Sequence, residues 1–281
     1  MLSYQHAYHA GNFADVHKHL TLFAVLRYLL RKESAITYVD THAGRGLYPL
    51  SATESQRLQE HRRGVEPVWQ HRDGFGQALL FEWCQALGDT QPDKTLLSHY
   101  PGSPWWLGRA LREQDALRLY ELHPGEHRHL SEQPLANNAA RIFGDGLEGL
   151  KKQLPVTSPR LCVLIDPSFE RKEEYQDVAD TVRFTLAKAR HAVLLVWYPL
   201  LPAAHHTALV NNLAASGIGK IWRSELFART PGSTTHGMYG SGMLVINPPW
   251  GIDETLSTAF DEIAPLLGER CYHRASWLAG E

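Results

Sequence analysis

Long apolar runs are missing from this chain. No stretch of about 18 consecutive apolar residues, the length a membrane-spanning helix needs, occurs in its 281 residues. The opening MLSYQHAYHAGNFADVHKHL has neither a basic n-region nor an apolar h-region. The expectation is a cytoplasmic protein with no membrane partner and no signal peptide. Cysteine is scarce: Cys84, Cys162 and Cys271 are an odd number, widely separated, with no CxxC pair. That usage fits reduced thiols better than a disulfide frame or a zinc knuckle. Charge of one sign is lacking as well. The formal net charge is −2, which excludes the basic excess of an indiscriminate nucleic-acid binder. Any nucleic-acid contact must rest on local patches, such as Arg62 with Arg63, Lys151 with Lys152, and Arg171 with Lys172. Internal repeats, low-complexity tracts and long Pro/Gly/Ser linkers are absent too, so the chain reads as one domain over residues 1–281.

What is present is an apolar fraction of 43%, enough for a sizeable core, distributed in short β-rich runs. They are AITYVD (35–40), ALRLYEL (116–122), ARIFGDG (140–146), LCVLID (161–166), HAVLLVWY (191–198), GIGKIWRSELF (217–227) and GMLVIN (242–247). Helix-like segments such as DVADTVRFTLAKAR and HHTALVNNLAAS separate several of them. This alternation predicts an α/β fold, a seven-stranded doubly wound parallel sheet covered on both faces. Residues 50–98 break the rhythm. They are rich in Gln, Arg and His, their apolar residues Ala78, Leu79, Phe81, Cys84 and Leu87 are spaced helically, and no β run occurs among them. The expectation there is an inserted small helical subdomain.

The first run ends in Asp40-Thr41-His42-Ala43-Gly44-Arg45-Gly46. Gly44 and Gly46 allow a sharp turn and a close backbone approach to a ligand over the carboxyl edge of the sheet. An ordinary strand-to-helix turn would look the same. A dinucleotide fingerprint needs a third glycine at position 49, where Pro49 stands, so a nucleoside cofactor without a pyrophosphate fits better. Its ribose needs an acidic reader at the end of the second strand, and Glu121 closes ALRLYE. Glu121 lies 81 positions (121 − 40) beyond Asp40, against roughly 20 in the uninterrupted unit. The surplus matches the inserted helical stretch. Asp145-Gly146 ends the third run, where a carboxylate can accept from an adenine amine or simply form a turn.

The fourth run delivers Asp166-Pro167-Ser168-Phe169-Glu170 from the apolar strand before it. An exocyclic aromatic amine is a poor nucleophile because its lone pair is delocalised. A carboxylate and a rigid carbonyl accepting from its two N–H groups would localise that pair. Asp166 and the Pro167 carbonyl suit those roles, and Phe169 would stack on the base. A capped strand end is the plainer alternative. Asn247-Pro248-Pro249-Trp250 is formally a better amide-type motif, but it ends the seventh run, expected beyond the sixth and away from the glycine turn. His123-Pro124-Gly125-Glu126-His127 spells H-x-x-E-H, yet Pro124-Gly125 argues against the helix that a zinc site of this kind needs. His6, His9, His17 and His19 crowd the amino terminus and suit neutral hydrogen-bonding roles rather than metal ligation. No metal is expected.

Taken together, these residues resemble the bacterial 23S ribosomal RNA adenine-N6 methyltransferase J family. LSYQHAYHAGNFADVHKH is similar to its amino-terminal block, and DTHAGRG, YPGSP, LREQDALRLYELHP, DGL, LIDPSFE, LVWYP and SGMLVINPPW follow in the family's order. The resemblance spans nearly the whole chain and is weakest over 50–98. It implies a Rossmann-like class I methyltransferase using S-adenosylmethionine on one adenine of 23S ribosomal RNA, an RNA-binding, rRNA-processing enzyme expected as a monomer. It implies a cofactor pocket lined by His19, His42, Gly44, Ser103, Glu121, Asp145, Gly146 and Asp166. It also implies Tyr4, His6 and Lys18 near the RNA base, with Asp166, Lys18 and Phe169 in catalysis. The family motif usually reads Asp-Pro-Pro-Tyr; here it reads Asp-Pro-Ser-Phe, which loosens the turn and removes a hydroxyl while keeping a stacking face. Two other functions remain open from the residues: methylation of a protein glutamine amide, and RNA binding without catalysis around a vestigial pocket.

Overall fold

The computed structural model describes residues 4–230, 232 and 237–280. All seven apolar runs form strands: β1 (Ile36–Asp40), β2 (Ala116–Glu121), β3 (Ala139–Phe143), β4 (Arg160–Ile165), β5 (Val193–Leu200), β6 (Ile221–Phe227) and β7 (Gly240–Ile246). An eighth, β8 (Tyr272–Ala279), joins the edge antiparallel to β6. The expected seven-stranded sheet therefore has eight strands, in the order β8-β6-β7-β5-β4-β1-β2-β3. β8 escaped notice because none of its residues is fully buried, so it carries no apolar run. β3, β2, β1, β4 and β5 are parallel. β7 inserts between β5 and β6, antiparallel to both, and does not lie beyond β6 as expected.

Alternating residues feed two cores. From β4, Leu161, Val163 and Ile165 pack with Val178 and Val182 of α8 (Glu174–Lys188) and Leu209 and Leu213 of α9 (His206–Ala214). Cys162 and Leu164 face the other side, with Leu20 of α1 (Phe13–Leu29) and Phe260 of α10 (Ile252–Leu267). This two-sided burial is why the strands read as continuous apolar runs. Strand order reverses between β1 and β4, which opens a crevice at their carboxyl ends.

Residues 50–98 hold α2 (Thr53–Leu58), α3 (Val65–Gln70) and α4 (Ala78–Gly88), flanked by a small antiparallel pair, Leu47–Pro49 with His99–Pro101. Trp83 of α4 stacks on Trp106 of α5 (Ser103–Ala110), with centroids 5.8 Å apart. α1 begins at Asn12, whose side chain caps it by accepting from the Asp15 N–H. Every residue from Ala14 to Leu22 is buried, Asp15, His17, Lys18 and His19 included. The H-x-x-E-H segment is helical after all: α6 (Pro124–Glu132) starts at Pro124 with His123 as its N-cap. Proline is well suited to that first position, where its missing N–H costs nothing.

Candidate functional site

The carboxyl end of β1 is tied to both neighbours, Thr41 N–H donating to Leu164 O at 3.1 Å and Ala43 N–H to Tyr120 O at 2.8 Å. Gly44 and Gly46 take φ of +63° and +87°, a region that side chains resist. The space a Gly44 Cβ would need is filled by the Tyr48 hydroxyl, 2.4 Å away. That glycine therefore serves the turn and its own tyrosine. Glu121 braces the turn, its carboxylate accepting from Gly44 N–H at 2.8 Å and from His123 N–H at 2.6 Å. Burial pushes its carboxyl up, against those two bonds.

Asp40 is fully buried at the end of β1. Burial pushes its carboxyl up to about 7, opposed by the Ser103 hydroxyl and the His42 N–H. Its Oδ2 has no well-formed hydrogen bond among the described residues. Beside it, His42 is lowered to about 4 by burial, its Nδ1 2.8 Å from the Thr41 hydroxyl. Asp145 caps α7 (Gly146–Gln153), its Oδ1 accepting from Leu147 and Glu148 N–H. Gly146 packs α7 on the β1 turn so closely that a Cβ would lie 2.0 Å from Thr41 O.

Across the crevice Asp166 follows β4. Its Oδ2 receives Lys18 Nζ at 2.5 Å, and the same Nζ lies 3.1 Å from Asp15 Oδ1. Asp15 Oδ2 meets His6 Nε2 at 2.9 Å, and the Tyr4 hydroxyl meets His6 Nδ1 at 3.0 Å. One chain of contacts thus runs Asp166, Lys18, Asp15, His6, Tyr4. Burial would lower the Lys18 ammonium, but the carboxylates on either side outweigh it and hold it above its ordinary range. Burial would raise Asp15, but His6 and Lys18 hold it well below. Asp166 sits above the usual carboxylate value because burial exceeds the pull of Lys18. His19, lowered well below its ordinary value by burial and Lys18, bonds the Tyr100 hydroxyl at 2.8 Å.

Phe169 is 7% exposed, adopts a left-handed φ of +51°, and stacks on Tyr175 at 4.3 Å. One of its faces is therefore taken. Asn247 lies at the opposite edge of the sheet, because β7 runs antiparallel; its amide donates to Arg190 O and Ala192 O, each at 2.9 Å. Trp250 beside it is 88% exposed. Arg62 and Arg63 are exposed, whereas Lys151 is paired with Glu148 and Arg171 with Glu174. Among the described residues no group of three or more His, Cys, Asp or Glu is arranged to hold a metal ion, and no helix is long and apolar enough to cross a membrane.

Sequence reasoning gave no role to Asp15, which stands inside the amino-terminal block and links Lys18 to His6. It also missed the buried pair Arg45–Glu126, two bonds of 2.9 and 2.6 Å that fasten the turn to α6. The Glu in H-x-x-E-H was the available signal, spent here on an arginine. Asp40 was in view as a strand end only.

The family model described as ribosomal RNA large subunit methyltransferase D, RlmJ, matches residues 33–279. Ribosomal RNA large subunit methyltransferase J of Escherichia coli is 37% identical over 258 residues, covering 92% of this chain and 91% of that protein. Its Haemophilus influenzae namesake is 36% identical over 268 residues, covering 95% and 93%. Among solved structures, protein LPL1258 from Legionella pneumophila superposes with a TM-score of 0.88 at 32% identity, covering 96% of this chain and 98% of that one.

Proposed function

This chain belongs to the ribosomal RNA large subunit methyltransferase family RlmJ, and from that premise we propose that it transfers a methyl group from S-adenosylmethionine to the N6 amine of one adenine in 23S ribosomal RNA. The observation that carries the proposal is Asp166, at the carboxyl end of a central strand beside the β1 turn, with one oxygen held by Lys18 at 2.5 Å.

The crevice suits the cofactor. A cationic, hydroxyl-bearing molecule matches the acids Asp40, Glu121 and Asp166 at the ends of β1, β2 and β4, and the buried Asp40 Oδ2 lacks a good partner. Glu121 would read the ribose; Gly44, His42, Ser103, His19, Asp145 and Gly146 would line the rest of the pocket. When bound, the cofactor would supply an electrophilic methyl group, its S–CH3 bond breaking as the new C–N bond forms and its sulfur leaving as a neutral thioether.

The chain's own residues prepare the acceptor. Lys18 occupies Asp166 Oδ2, which leaves Oδ1 to accept from the adenine N6–H. The Pro167 carbonyl would accept from the second N–H, so that the lone pair concentrates on nitrogen. As the C–N bond forms, positive charge grows on N6, and the fixed negative charge of Asp166 interacts more strongly with that state than with the neutral amine. Oδ1 then takes the surplus proton. Tyr4 and His6, strung to Lys18 through Asp15, would meet the base, which must leave any stack to reach them. Phe169, 7% exposed and already stacked on Tyr175, has little face left for the base.

The glutamine-amide reading needs Asn247 at the reacting centre, and Asn247 sits at the far edge of the sheet. Incubation with labelled cofactor and either 23S rRNA or ribosomal protein tests the proposal. Label on adenine N6 is expected. Label on glutamine, or none at all with correctly folded protein, would overturn it.

A further inference from the structure

Residues 4–12 form a strap that carries Tyr4 and His6 to Asp15. Its other fastenings lie on the 50–98 insertion. The Ser55 hydroxyl of α2 donates to Ala7 O at 3.0 Å. Glu60 accepts from the Asn12 amide at 3.0 Å and meets His9 Nδ1 at 3.0 Å. Val65 N–H, at the start of α3, donates to Gly11 O at 2.8 Å. Around that last bond the two backbones touch. A Cβ at Gly64 would lie 2.1 Å from Gly11 O and 2.5 Å from the Asn12 carbonyl carbon. Gly11, at φ +75°, would place its own Cβ 2.9 Å from Val65 Cγ1.

We propose that the insertion is a clasp for the strap, and that Gly64, Glu60 and Ser55 are positioning residues for methyl transfer. The inference rests on the reading of Asp166, Lys18, His6 and Tyr4 given above. Its logic is mechanical. The acceptor side of the crevice is built from a short segment with one 3₁₀ turn, His6–Tyr8, too small to hold its own shape. Asp15 fixes it on the α1 side through His6 and Gly11 N–H. On the other side its hydrogen bonds, among the described residues, go to the insertion, with the Tyr48 ring edge-on to His6 at 5.3 Å as a further contact. The Glu60–His9 pair is about a third exposed on each side, so its charge attraction is screened and contributes little. The backbone contact at Gly64 is the stiffer element, because the opposing atoms are main chain and cannot rotate away.

A misplacement of reacting groups by about 1 Å can cost on the order of 10²-fold in rate. The full chain carrying Gly64→Ala, and separately Glu60→Ala with Ser55→Ala, is compared with wild type in single-turnover methylation at saturating 23S rRNA and cofactor. Cofactor affinity is read by calorimetry and folding by circular dichroism. Gly64→Ala is expected to lower the rate on the order of 10–100-fold, with cofactor affinity within about twofold, the pattern of a group that acts only as the transition state forms. The Ser55/Glu60 double variant should lose less, and it keeps the test decisive if Gly64→Ala does not fold. Wild-type rates in the folded variants would overturn the clasp. So would weaker rRNA binding with an unchanged saturating rate, which would make the insertion a docking platform. Asp166→Ala run alongside separates the failures: an inactive Asp166 variant beside unimpaired clasp variants refutes the clasp alone, whereas an active one refutes the reading beneath it.

Discussion

Lys18→Met keeps most of the unbranched apolar stem of a side chain that is 6% exposed and removes its charge from between Asp15 and Asp166. Deleting one partner of a buried ion pair typically costs about 3–5 kcal/mol, because the remaining charge stays desolvated. The folded chain can limit that loss by taking up a proton. Asp166 is already raised by burial, with Lys18 as the main opposing influence. Without Lys18 its carboxyl must rise further, so the acid form gains at neutral pH and the charged acceptor is depleted. Single-turnover methylation by the variant should therefore fall at neutral pH on the order of 10²–10³-fold, the loss expected for one preorganised electrostatic partner. It should then recover as pH rises and Asp166 ionises. The assay is the rate at saturating cofactor across mildly acid to alkaline pH, beside urea unfolding at each pH. A variant whose profile parallels wild type, or whose neutral-pH rate is within about fivefold, under ~1 kcal/mol of barrier, would refute the reasoning.

Glu121→Ala leaves Gly44 and His123 N–H without their acceptor and should weaken cofactor binding by about 1.5–3 kcal/mol; unchanged affinity by calorimetry would remove Glu121 from the pocket. Asn247→Ala loses two bonds at the far edge, so about 1–3 kcal/mol of stability should go, while turnover per folded molecule stays within about fivefold. A hundredfold drop in turnover would contradict that. His17 and His273 share the Ser224 hydroxyl in the core, at 2.9 and 2.8 Å. Burial holds His17 well below its ordinary value and lowers His273 to about 4. The unfolded chain takes up these protons near pH 6.5, so their stability is present above that pH and lost as pH falls toward about 4, roughly 3 kcal/mol for His273 alone. His273→Gln should flatten the fall of urea midpoint across that window, and an unaltered slope would count against it.

The central parallel strands β1, β4 and β5 were legible because strands buried on both faces cannot help being apolar throughout. Direction was not: GMLVI reads the same whether β7 lies beyond β6 or enters between β5 and β6 antiparallel. Asn247 is away from the crevice as expected, but because of reversed direction. Pattern alone does not place α1: Asp15, His17, Lys18 and His19 follow one another closely, yet a helix enclosed on all sides buries them and uses Lys18 toward Asp166 and His17 toward Ser224 and Ser241. Asp166, Glu121 and the glycine turn could be placed, since strand ends are chemically marked. Asp15 and Glu60 could not, because single carboxylates acquire meaning only from partners that folding brings together, as Glu60 meets His9 from 51 positions away.

Single-turnover methylation of 23S rRNA by folded Asp166→Ala at saturating cofactor tests the central claim most directly. If Asp166 Oδ1 accepts from the amine as the methyl group arrives, the rate falls on the order of 10²–10³-fold, about 2.7–4 kcal/mol, even with the cofactor site filled. If Asp166 merely ends β4 and balances Lys18, stability falls and the rate per folded molecule stays within about fivefold of wild type, a result that would contradict the proposed chemistry.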